Sequence, residues 1–182
     1  GGDGGDGGDD EPGRATSGRA YLLGELLCLA AEWDEPAVIE RLTAAGASVA
    51  YVSALGQSPL HNAAANGNTE LCGALIRAGA CVNAPDARRV NPLGVACQEG
   101  HHQCAVALLD AHAHVDGAHR GVLALTPLML ACAAGQPWLA QLLLARRANP
   151  DLVRRDAERG EPRTALEYAH ACEVANGAAC VS

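Results

Sequence analysis

Ser58-Pro59-Leu60-His61-Asn62-Ala63-Ala64 is a phrase that this chain of 182 residues writes four times. It returns as Asn91-Pro92-Leu93-Gly94-Val95-Ala96-Cys97, then as Thr126-Pro127-Leu128-Met129-Leu130-Ala131-Cys132. A fainter copy is Thr164-Ala165-Leu166-Glu167-Tyr168-Ala169-His170. Pro59 and Pro92 stand 33 positions apart, and Pro92 and Pro127 stand 35 apart. A fixed period of this size marks a stack of helical units, each able to bury its apolar face only against its neighbours. Such a stack points to a binding surface rather than to an active site.

Each unit reads as two helices. Ser or Thr before Pro starts the first, because the hydroxyl caps a free backbone N–H and Pro has no N–H to lose in the opening turn. Leu60, Ala63 and Ala64 mark a short helix whose small residues admit a close neighbour. Asn66-Gly67, Glu99-Gly100 and Ala134-Gly135 end it, at a position where left-handed backbone costs glycine nothing. The second helix is apolar at helical spacing through Leu71, Leu75 and Ile76, then Val106, Leu108 and Leu109, then Leu139, Leu142, Leu143 and Leu144. Ala78-Gly79-Ala80-Cys81-Val82-Asn83 closes the unit and is echoed by His112–Asp116 and Arg147–Asp151.

In these motifs the chain resembles the ankyrin repeat, with its Thr-Pro-Leu-His phrase, a Gly between two helices and a Gly-Ala…Asn/Asp ending. The second unit matches best, through Gly56, Ser58-Pro59-Leu60-His61, Ala63-Ala64, Gly67, Gly79-Ala80 and Asn83. The resemblance implies an all-α ankyrin-repeat solenoid: stacked helix-turn-helix units with hairpin-like finger loops. Repeats are expected over about 20–52, 53–85, 86–118 and 119–153, with a partial one at 154–182. Gly46-Ala47 lies 33 before Gly79-Ala80, so Glu25–Ala31 is the first leading helix, and Val38, Ile39 and Leu42 line its partner. Thr164–Cys172 is expected as the last leading helix, which leaves only Glu173–Ser182 for a partner. Such a short cap implies either more chain after Ser182 or another subunit over this end.

Composition agrees. Apolar residues make up 49%, aromatic ones only 3%, and there is no Phe, so the core must be built from Ala, Leu and Val. There is no Lys either, which reads as a GC-rich coding bias beside abundant Ala, Gly and Arg. Net charge is −8, and Asp3, Asp6, Asp9, Asp10 and Glu11 crowd the start. Residues 1–19 read as a disordered Gly/Asp-rich acidic tail. This balance does not invite nucleic acid as a partner, and no apolar run is long enough for direct membrane insertion. The chain opens on Gly1 rather than Met, which leaves a removed transit peptide and a longer parent polypeptide both open.

Of the eight Cys, Cys28, Cys72, Cys97, Cys104, Cys132 and Cys172 fall at helix positions rather than in a disulfide framework, with Cys97 and Cys132 in the slot that Ala64 holds. Buried reduced thiols fit a reducing intracellular compartment, cytoplasm or organelle interior. The cluster Cys97, His101, His102, Cys104, His112, His114 and His119 lacks the paired spacing of structural zinc, so no metal and no cofactor is expected. In the ankyrin pattern, His after Gly (here His101) bonds neighbouring backbone. No base is oriented toward a thiol and no oxyanion hole is indicated, so the chain is not expected to be an enzyme.

The resemblance places partner contacts on the fingers and the inner face of each leading helix. The fingers map to 51–57, 86–90, 119–125 and 154–163. The inner positions are Asn62, Ala65 and Asn66, then Val95, Gln98 and Glu99, then Leu130, Ala133 and Ala134. The third finger reads Gly121-Val122-Leu123-Ala124-Leu125 where polar turn residues are usual. Beside Leu55 and Val90 it forms a row of exposed apolar tips, or else Leu123 and Leu125 fold back onto Leu130. Arg88-Arg89 stands where the family pattern puts a turn Gly at 89; paired guanidinium groups suit carboxylates or phosphates on a partner, or else they are a solvated pair balanced by Asp86. The expected partner-binding set is Leu55, Gln57, Asn66, Arg88, Val90, Glu99, Leu123 and Leu125. The function expected is non-catalytic protein–protein interaction, as a scaffold or accessory subunit of a multiprotein complex. Two alternatives stand beside it: a recognition segment of a longer enzyme or membrane protein, and a metal- or redox-responsive Cys/His module.

Overall fold

A computed structural model describes residues 12–33, 35–117, 125–155 and 162–176. Within these, helices pair in chain order: α1 (Pro12–Glu32) with α2 (Pro36–Ala44), α3 (Pro59–Asn66) with α4 (Thr69–Arg77), α5 (Pro92–Glu99) with α6 (His102–Asp110), and α7 (Pro127–Ala133) with α8 (Pro137–Ala145). Then come two two-residue strands, β1 (Arg154–Arg155) and β2 (Pro162–Arg163), and α9 (Ala165–Asn176). The leading helices pack in one row, α1 on α3, α3 on α5, α5 on α7 and α7 on α9, and α6 lies beside α4. This is the expected all-α solenoid.

The starts of the helices follow the sequence. Asn91 Oδ1 accepts from the Gly94 N–H at 2.9 Å, and Thr126 Oγ1 from the Met129 N–H at 3.2 Å, each satisfying a donor that its helix leaves free. Ahead of α3 the buried His61 ring does the equivalent work: the Ser58 N–H donates to His61 Nδ1 at 3.1 Å. Gly67 ends α3 with φ 74°, and Gly100 ends α5 with φ 82°. One continuous core runs the length of the stack through Leu27, Leu60, Leu93 and Leu128 from the leading helices and Leu71, Leu75, Leu108, Leu139 and Leu143 from their partners.

Hydrogen bonds repeat at the period of the sequence. Asn62 Nδ2 donates to the Cys28 carbonyl at 3.0 Å, and the His114 N–H to Asn83 Oδ1 at 2.7 Å. The Asn149 N–H donates to Asp116 Oδ1 at 2.8 Å, and Arg146 pairs with Asp110 at 3.0 Å. His101 Nε2 lies 2.9 Å from the Ala65 carbonyl, the backbone contact that the resemblance implied for it.

Two boundaries and one burial differ from the sequence reading. Helix α1 begins at Pro12, inside the stretch assigned to the tail, because Pro is a ready first helical residue. Val38 was expected to line the core, but it is 40% exposed, because no helix pair precedes it among the described residues. The last leading helix runs through Glu173 to Asn176, so residues 173–176 do not start a partner helix. The intended tail residues 1–11 and the remaining 177–182 lie outside the described residues.

Candidate partner-binding surface

The first two fingers are built alike. In the first, the Ser53 N–H donates to the Gln57 carbonyl at 2.9 Å and the Gly56 N–H to the Ser53 carbonyl at 2.8 Å. In the second, Asp86 takes the place of Ser53. Its N–H donates to the Val90 carbonyl at 2.8 Å, and its carboxylate accepts from the Val90 N–H at 2.8 Å. The Arg88 guanidinium closes on the other carboxylate oxygen at 3.2 Å. The buried Asp86 therefore holds the turn and spends part of Arg88 on its own finger. Arg89, where the pattern puts Gly, adopts left-handed backbone at φ 64°. The fingertips are tied to each other by the Ala87 N–H donating to the Leu55 carbonyl at 3.3 Å.

Each expected contact residue now has a place. Leu55 is 69% exposed at the tip of the first finger, with Arg88 exposed at the tip of the second. Gln57 is half-buried at the base of the first finger. Asn66 and Glu99 are exposed at the ends of α3 and α5. Asn66 is partly committed, since its Nδ2 donates to the Glu32 carbonyl at 2.6 Å. Val90 corrects the expectation of a row of apolar tips: it is only 5% exposed and packs with Val95 and Leu130. The reason is the Asp86 turn, which faces Val90 back toward the helices instead of outward. Leu125 joins the same cluster half-buried, which is the fold-back alternative for that residue. Leu123 and the rest of 118–124, like 156–161 of the fourth finger, lie outside the described residues. The apolar reach of the two described tips therefore rests on Leu55, flanked by Arg88.

The sequence offered Asp86 only as a counter-charge for Arg88-Arg89 and His61 only as part of the repeated phrase. That Asp86 closes a finger and His61 bridges two units was not read, although both were visible as signals. Asp86 sits 33 residues after Ser53, a position whose side chain closes a turn in both fingers. His61 joins two units, since Nε2 lies 3.1 Å from the Val90 carbonyl while Nδ1 faces Ser58. Burial holds this imidazole below its ordinary pKa, against the opposing pull of the Val90 carbonyl.

The thiols are mostly inward. Burial pushes Cys97 up to about 12, and burial with the Glu25 charge nearby pushes Cys28 to about 12. Cys72 and Cys104 meet across the α4–α6 seam, where Cys104 also contacts Thr69 Oγ1 at 3.4 Å. The hydrogen bond to Cys104, together with burial, raises the Cys72 thiol. Among the described residues no three His, Cys, Asp or Glu side chains gather as a metal would need. His102 instead lies edge-on to Trp138, with ring centroids 4.7 Å apart.

The family model described as "Ankyrin repeats (3 copies)" matches residues 27–119 and again 91–156. The chain belongs to the ankyrin-repeat family. A curated relative, "Ankyrin repeat and KH domain-containing protein mask-1" of Caenorhabditis elegans, is 33% identical over 128 residues, which is 69% of this chain. The chain spans about 5% of that relative's length. Ankyrin repeats are generally protein–protein interaction modules, and the family is generally non-catalytic. No helix among the described residues is long and apolar enough to cross a membrane.

Proposed function

We propose that this ankyrin-repeat chain is a non-catalytic recognition module, a scaffold or accessory subunit that holds a partner protein against its first two fingers and the adjoining helix ends. The observation that carries the reading is Leu55, a large apolar side chain 69% exposed on a hydrogen-bonded fingertip beside the Arg88 guanidinium. Apolar and Arg anchors of this kind supply most of the energy of an interface, within a wider field of near-neutral contacts. Gln57, Asn66 and Glu99 provide that field. The partner's matching surface is an apolar pocket rimmed by carboxylate, because Arg88 already sits beside one carboxylate and retains further donors.

The chain has no lysine, so amine-directed cross-linkers would miss its side chains. The test therefore places a photo-reactive residue at Leu55, at Arg88 or, as control, at Glu70 on α4. Source-organism lysate is irradiated, and adducts are identified by mass spectrometry. A single protein captured from 55 and 88 but not from 70, and lost when Leu55→Glu is added to the Arg88 probe, supports the finger surface. Equal capture from all three positions would move the contact elsewhere.

A further inference from the structure

A run of exposed apolar side chains lies away from the fingers, on α1. Leu22, Leu26, Leu29 and Trp33 are 37–71% exposed, and they follow one another at steps of four, three and four residues. That is the seam spacing with which one helix buries itself against another. Over three turns it runs about 17 Å along the helix. Below its second half, Val38 and Leu42 of α2 complete a groove of about 460 Å³, with Glu35 at its edge.

Position within the repeat explains why this face is open and what shape fits it. Val38 stands 33 residues before Leu71, and Cys104 and Leu139 hold the same place in the next two units; all three are fully buried. Cys104 meets Thr69 of the unit before it. The face that each later unit covers with a preceding helix pair is thus bare in the first among the described residues. The opposite side of α1 is already taken. Tyr51 packs edge-on to Tyr21 and hydrogen-bonds Glu25, while Leu27 and Ala31 enter the core. Helix α1 is also 21 residues long, against 8, 8 and 7 for α3, α5 and α7, so Leu22 lies one turn before the place where the later leading helices start.

Charge narrows the occupant. From Leu22 to Leu42 the chain carries five carboxylates (Glu25, held by Tyr51, then Glu32, Asp34, Glu35 and Glu40) and one guanidinium, Arg41, while Arg14 and Arg19 lie earlier on α1. Glu32, next to Trp33, and Glu35 are both exposed. We propose that the α1 seam docks an amphipathic helix of a partner protein, apolar at heptad spacing on one face and flanked by Arg or Lys. The apolar seam supplies affinity, and the carboxylates select a basic helix over an acidic one. This site is separate from the finger surface.

The probe is a synthetic helical peptide of about 20 residues, Leu at heptad seam positions with Arg flanks. It is titrated into the whole chain carrying Trp138→Phe, so that indole fluorescence reports Trp33. Calorimetry repeats the measurement on the unaltered chain. Two further peptides carry Glu flanks or a central Pro. The expected result is saturable binding by the Arg peptide, weakened about tenfold or more by Glu flanks, by the Pro, or by Leu26→Glu/Leu29→Glu in a chain of unchanged circular dichroism. Leu55→Glu should leave this binding as it was. Equal binding of the Arg and Glu peptides, undiminished binding by the seam variant, or no binding at all would overturn the proposal. So would a sedimentation series showing that the chain dimerises through this face and that the seam variant is monomeric, since the occupant would then be a second copy.

Discussion

His112 and Arg147 hold left-handed backbone, φ 63° and 66°, at the place where the first two units put Gly46 and Gly79, φ 93° and 90°. An L-residue in that region costs about 1–2 kcal/mol, whereas glycine's extra chain entropy costs about 0.5–1 kcal/mol. His112→Gly is therefore expected to stabilise the fold by up to about 1 kcal/mol, read as a higher urea midpoint at unchanged slope. His61 gives a pH signature. Its folded pKa is lowered by burial from the ordinary 6.5, so the unfolded chain binds the proton first as pH falls. The stability that the neutral ring contributes is whole above about 6.5 and is lost as pH drops from there through the folded value. His61→Gln should be less stable at pH 7.5 yet lose less between pH 7 and 5; parallel losses in the two proteins would refute this role. Thiol labelling of the native protein should modify exposed Cys81 well before buried Cys28, Cys72 and Cys97, which should react on unfolding.

At the scale of the element, the turn between paired helices is set by what crosses it. A side chain at Gly67 would stand 2.5 Å from His101 Nδ1, on a ring whose other nitrogen is engaged at the Ala65 carbonyl. Around Gly79, also left-handed, there is open space. Both Ala substitutions carry the backbone strain of about 1 kcal/mol, but Gly67→Ala must also displace His101 and its bond to the preceding unit. Gly67→Ala is expected to cost clearly more than Gly79→Ala in chemical denaturation, and equal losses would mean that the ring moves freely. The paired helices were legible beforehand because their caps, Pro positions and apolar period are local. The finger conformation was not, because Val90 turns inward through a buried carboxylate four residues away and two apolar residues on later helices, Val95 and Leu130.

Across the whole molecule, each unit is stabilised by its neighbours, so position in the stack decides how a cavity is felt. Leu108→Ala, in the fully buried middle, is expected to cost about 2–5 kcal/mol and to shift the entire transition. Ile39→Ala, in the first unit, should act mainly there: hydrogen exchange should quicken in α1 and α2 while α5 to α8 keep their protection. Uniform acceleration would show that the stack opens only as one body.

The period of 33 to 35 residues, its Pro-Leu starts and its glycines by themselves determined the family, the solenoid and the helix pairs. Such features are local preferences repeated in register, and each copy restates the last. Only the tertiary structure decided which apolar residues face water. Val90 and Leu55 both belong to fingers, yet one is buried and the other exposed. Val38 and Leu71 hold the same place in the repeat, yet among the described residues only the second has a helix pair before it. Exposure is a property of what lies next in space, and among the described residues the inner units have that neighbour on both sides while the first has it on one.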